Sequence, residues 1–126
     1  MKRILLACCL LTATCAGTFQ TAMAHPTTVT VTDFNAKVAL LDSYIAAGDM
    51  TNAQATWNQV HTMMMTELGT TKSNIATAAT PAIASSYQTV LNNQVLIYRQ
   101  AWTLKNDLSA NRTALHTQLV NFAATF

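Results

Sequence analysis

Trp57, His61, Met64 and Met65 are the residues of this chain whose types and spacing best suit chemistry. On a helix they fall at i, i+4, i+7 and i+8 and share one side, with His61 about 40° around from Trp57 at ~100° per residue. Imidazole and thioether ligands suit a soft ion such as Cu(I), and the face of a Trp attracts a cation. The same residues also read as packing. Met is a core filler, Trp57 and Met64 fall on an apolar stripe, and His61 sits at its edge.

Two other histidines offer metal chemistry. Ala22-Met23-Ala24 is a small-x-small cleavage site, and cutting there leaves His25 with an imidazole and an α-amine on one residue. That pair can chelate Cu(II), with His61 or His116 completing the site. Pro26 removes the amide nitrogen that other N-terminal copper motifs deprotonate. The window Arg112-Thr113-Ala114-Leu115-His116 resembles the segment that carries the axial histidine of the cytochrome b562 family. The resemblance covers five residues and implies haem held by His116. That family's methionine ligand on the first helix has no counterpart here, so His61 becomes the second ligand. A c-type attachment is excluded downstream of residue 24, where no Cys remains.

Most catalytic chemistry can be set aside. Di-metal carboxylate bundles need several Glu and paired Glu-x-x-His motifs, and this chain has Glu67 alone. Neither a nucleophile elbow nor a phosphate-cradling glycine loop is present. Asp33 and Lys37, four apart, read as a solvated helix pair. Asn111-Arg112-Thr113 is a formal glycosylation sequon.

Tyr87, Leu91, Val95, Tyr98 and Trp102 recur at helical spacing beside a second stripe of Ile83, Val90, Ile97 and Leu104. If one stripe fills the core, the other is a candidate interaction face for a second copy or a protein partner. The alternative is that both stripes are buried between neighbouring helices.

Helices must position these groups. The Thr/Val alternation of His25 to Thr32 predicts an extended arm, which has no second strand to pair with. A first helix is predicted from about Asp33 to Ala47, capped by Thr32 or Asp33, with Phe34, Val38, Leu41 and Ile45 on one face. Gly48 supplies a left-handed stop. Thr51-x-x-Gln54 has capping-box spacing for a second helix with Ala53, Trp57, Val60, Met64 and Leu68 buried. The short link makes the pair an antiparallel hairpin. Gly69 to Thr80 reads as a loop or as an extension of the second helix. Thr80-Pro81 opens a third. The apolar series Leu104, Leu108, Leu115, Leu119, Phe122, Phe126 continues through Asn106 to Ser109. A turn there gives four helices; without one, a single helix of about forty residues results, on the order of 60 Å long. Short connections favour the turn.

The fold expected is therefore all-α: a small antiparallel up-down four-helix bundle over residues 33–126, preceded by an arm over 25–32. Residues 1–24 read as a cleaved secretory signal. Lys2 and Arg3 precede a short apolar run from Ile4 to Leu11. Removing it takes away Cys8, Cys9 and Cys15 and leaves five bases balanced by five acids. Such a neutral domain lacks the electrostatic footprint of a nucleic-acid binder. No later segment reaches the ~18 apolar residues of a membrane span. The general plan is similar to that of periplasmic holding chaperones of the Spy type. Their Leu-Thr-x-x-Gln motif is not matched by Leu115-His116-Thr117-Gln118, and their highly charged cradle is missing. The expected protein is exported, periplasmic or secreted. It is non-enzymatic, without a cofactor, and acts by binding itself, a protein partner or an apolar ligand. The alternative is a copper or haem carrier using His61 with Met64 and Met65, or with His116.

Overall fold

A computed structural model describes residues 28–126. The signal segment, its cysteines, and the His25 copper chelate lie outside the described residues. Within them the chain forms four α-helices: α1 (Val31–Ala47), α2 (Met50–Ala76), α3 (Pro81–Leu104) and α4 (Arg112–Ala123). A 3-10 turn at Lys105–Asp107 follows α3. The all-α, up-down bundle is as the apolar periodicity predicts.

The helix ends follow local chemistry. Thr30 caps α1: its hydroxyl accepts the Asp33 N–H at 3.1 Å and donates to the Asp33 carboxylate at 2.7 Å. The helix therefore starts at Val31, two residues before the predicted start, and takes Val31 and Thr32 from the expected arm. Gly48 ends α1 at φ 75°, the left-handed conformation that a side chain disfavours. Asp49 caps α2 by accepting the Asn52 N–H at 3.1 Å, so the Thr51-x-x-Gln54 box lies inside a helix already under way. Gly69 does not end α2, which continues to Ala76. Thr80 caps α3 with Pro81 in its first turn.

Two polar side chains hold the turn between α3 and α4. Asp107 accepts the Ala110 N–H at 2.9 Å, and the Asn111 amide donates to the Leu104 carbonyl at 2.9 Å. These bonds satisfy backbone groups that a helix end would leave unpaired, so the forty-residue helix does not form. They also commit the sequon's own amide nitrogen.

Packing runs around a ring: α1 on α2, α2 on α3, α3 on α4, and α4 on α1. Phe34 of α1 is buried against Phe122 of α4 and the terminal Phe126, with ring centroids 5.6 and 5.4 Å apart. Burial of each such side chain contributes ~1.5–3 kcal/mol. Phe34, Val38, Leu41 and Ile45 of α1, Leu115, Leu119 and Phe122 of α4 and most of the α2 face are buried as expected, whereas Phe126 is 38% exposed. On α3 the core residues are Gln94, Ile97 and Ala101, whereas Ile83 is exposed and Val90 is half-buried. Helix length accounts for this. At 1.5 Å per residue, the 27 residues of α2 span about 40 Å and the 17 of α1 about 25 Å. The 24 residues of α3 likewise outrun the 12 of α4. The far ends of α2 and α3 therefore project as a two-helix hairpin that neither short helix covers.

The helix surfaces are polar with few charges. Thr62, Thr66 and Thr70 each donate to the carbonyl four residues earlier along α2. Gln54 bonds Asn58 and Gln88 bonds Asn92 at the same spacing. Local hydrogen bonding takes the place of the ion pairs common on exposed helices.

Candidate functional site on the seam of helices α2 and α3

The stripe of α2 that begins with Trp57 faces α3, and the antiparallel pairing sets His61 beside Tyr98 and Trp102. His61 Nε2 and the Tyr98 hydroxyl share a hydrogen bond of 3.0 Å. The imidazole centroid lies 6.5 Å from Trp57, 5.7 Å from Tyr98 and 5.0 Å from Trp102. Tyr98 and Trp102 are themselves in ring contact at 6.0 Å. Four rings thus run outward from the core, from Trp57 at 1% exposure to Trp102 at 43%. The Lys105 ammonium sits 4.2 Å from the Trp102 centroid, a cation on an electron-rich face.

The three predicted metal residues of α2 separate. Met64 is fully buried in the core, as its place on the stripe requires, and its thioether is withdrawn from any surface site. Met65, one position on, is turned by about 100° and is 48% exposed. His61 lies between, half-buried. Helical spacing places His61 and Met65 side by side on the outer flank of α2, with Cβ atoms about 5–6 Å apart.

His116 is elsewhere. It lines the α1–α4 seam with Val38, Asp42 and Arg112, on the side of the ring opposite the α2–α3 seam. The structure therefore does not bring His61 and His116 together as the two axial ligands of one haem. The cavity in that seam, about 10 Å³, is too small for an organic ligand. Among the described residues no three His, Asp, Glu or Cys side chains gather to hold a metal ion.

The predicted interaction face lies along the same seam as His61. Tyr87, Leu91, Val95 and Tyr98 are half-buried, and Trp102 is exposed. All five are uncharged. The contacts of Tyr98 and Trp102 with His61 show that this face meets α2 and is open on its outer edge. Both stripes of α3 are thus only partly covered. The sequence reading did not join His61 to Tyr98 and Trp102, because stripes on two helices carry no information on their mutual rotation. It also missed Lys105, whose only signal was its i+3 spacing from Trp102.

Three carboxyls have shifted proton affinity. Hydrogen bonds from the Asn52 side chain and backbone N–H hold the Asp49 carboxyl below its ordinary value. The Arg112 guanidinium hydrogen-bonded to Asp42 holds that carboxyl below its ordinary value. Burial pushes the Glu67 carboxyl up. None of the three takes part in the contacts of the aromatic cluster. No helix among the described residues is long and apolar enough to cross a membrane. Comparison with protein-family models, curated proteins and solved structures finds no match for this chain.

Proposed function

We propose that the chain is a non-catalytic binding protein that engages a protein partner, another copy of itself included, along the outer seam of α2 and α3. One observation carries this reading: Trp102 stands open at the edge of a continuous aromatic cluster whose inner members are fixed by packing, with Met65 also exposed one turn along α2 from His61. Large rigid side chains anchored this way lose little conformational freedom on binding, which is why aromatic residues dominate contact surfaces. The five uncharged stripe residues from Tyr87 to Trp102 extend that edge along α3 toward the projecting hairpin. In this reading the site of action is the periplasm or the cell exterior, supported by the signal-like residues 1–24 and the cysteine-free remainder.

The test is titration with anilinonaphthalene sulfonate, a probe of open apolar surface, read by the dye's own emission on direct excitation and by sedimentation over a hundredfold range of protein concentration. The double substitution Trp102→Ser with Met65→Ser removes saturable dye binding and any concentration-dependent association. Dye binding and association unchanged in that variant would remove the seam as the contact surface.

A further inference from the structure

We propose that His61 and Met65 form a binding site for one soft monovalent metal ion of the Cu(I) class, with the Trp102 indole beside it. The proposal shares the α2–α3 seam with the binding reading above but rests on different atoms, and either stands without the other.

Three features point to it. First, the ligand pair is of the right type and in reach. An imidazole nitrogen and a thioether sulfur suit Cu(I), which accepts few ligands. The i, i+4 spacing sets the two side chains next to each other, and the exposure of Met65 leaves its sulfur open to the solvent side. Second, the imidazole is held by a partner outside the ligand set. The hydrogen bond with Tyr98 occupies Nε2, and the rings of Trp57, Tyr98 and Trp102 flank the imidazole. In the tautomer whose Nε2–H donates to the Tyr98 oxygen, which a metal at Nδ1 would select, Nδ1 carries the free lone pair. A second hydrogen bond that fixes ring orientation is the usual support of a metal-bound histidine. Third, the indole of Trp102 already attracts a cation. Lys105 lies over it at 4.2 Å. That ammonium sits on an exposed ring, where such contacts are worth only ~0.5–1 kcal/mol, so it can be displaced.

Hard divalent ions do not fit. They need several carboxylate or carbonyl oxygens, and none of the groups described around His61 supplies a carboxylate. The binding step involves no electron transfer: the ion enters as a monovalent cation and leaves as one.

Ag(I), the redox-silent analogue, is titrated into the chain with Cys8, Cys9 and Cys15 replaced by Ser, so that no thiol competes, against a chromophoric chelator and with tryptophan emission recorded in parallel. One equivalent binds and quenches emission. Met65→Leu and His61→Phe each weaken binding about tenfold or more. The phenyl ring keeps the stacking that His61 makes, and Leu is tolerated at an exposed position, so both variants stay folded by circular dichroism. Met64→Leu, a change at the buried neighbour, leaves affinity within about twofold, as a volume-conserving core swap should. Wild-type affinity no greater than that of the His61→Phe, Met65→Leu double variant would overturn the site, since His25 and the other methionines remain in both. Equal losses in Met64→Leu and Met65→Leu would also overturn it, because only Met65 faces outward.

Discussion

Arg112 donates from Nε and from one terminal nitrogen to the two carboxylate oxygens of Asp42, each at 2.7 Å, and so ties α4 to α1 across seventy positions of sequence. The fork geometry matches a carboxylate and specifies how the two helices meet. It is the one salt bridge found among the described residues. The pair adds a polar link to the Phe34–Phe122 packing that joins α1 and α4, as the His61–Tyr98 bond does for α2 and α3.

That pair and Glu67 give opposite pH signatures. The Arg112 hydrogen bond lowers the Asp42 value in the folded chain. Its contribution is therefore present above the ordinary carboxylate value and is lost as pH falls through the depressed one. Burial raises Glu67, so its ionised form opposes folding above that raised value, and protonation relieves it. Urea melts should show Asp42→Asn lowering the midpoint at pH 7 and having no effect in strong acid. Glu67→Gln should raise the midpoint at pH 7 and lose its effect below about pH 4. The Asp42 effect is small and shrinks in 1 M salt, because both partners are partly exposed. A Glu67→Gln midpoint below that of the parent at pH 7 would contradict this account.

The same substitution should have opposite effects at the two described glycines. Gly48 has φ 75°, where a Cβ is strained, and Gly48→Ala should destabilise by roughly 1 kcal/mol. Gly69 lies inside α2 with nothing within 4 Å of an added Cβ, so Gly69→Ala should stabilise by about 0.5–1 kcal/mol. Thermal melts of the two variants read both signs directly.

Gln94 is a buried amide in an apolar layer. Its nitrogen donates to the Thr125 hydroxyl at 3.1 Å, while its oxygen meets no protein partner. Removing the whole amide removes a desolvated oxygen along with one bond, so Gln94→Met should leave stability unchanged or raise it. Thr125→Val instead strands the amide nitrogen and should destabilise by about 1–3 kcal/mol. Denaturant midpoints of the two variants should therefore differ in sign or, at least, clearly in size.

The sequence by itself determined the inward residues of α1, most of those of α2 and α4, the stop of α1 and the start of α3. Phe34, Val38, Leu41 and Ile45 make a core face because 3.6-residue periodicity leaves them no other common side, and Gly48 and Thr80-Pro81 act through their own backbone chemistry. Local chemistry was less decisive where two caps competed. Thr30 prevailed over Thr32 because Asp33 answers it at the third position, and Asp49 prevailed over Thr51 because it lies directly after the glycine stop. Gly69 was ambiguous, since a single helical glycine weakens a helix by less than the packing of Met64 and Leu68 holds it. Only the tertiary structure decided that the series from Leu104 to Leu119 bends, because the bonds made by Asp107 and Asn111 are formed only in the turned chain. It alone joined His61 to Tyr98 and Trp102, and it alone set His116 on the opposite seam. Those relations depend on the relative lengths and mutual rotation of whole helices. Periodicity within any one helix carries no trace of either.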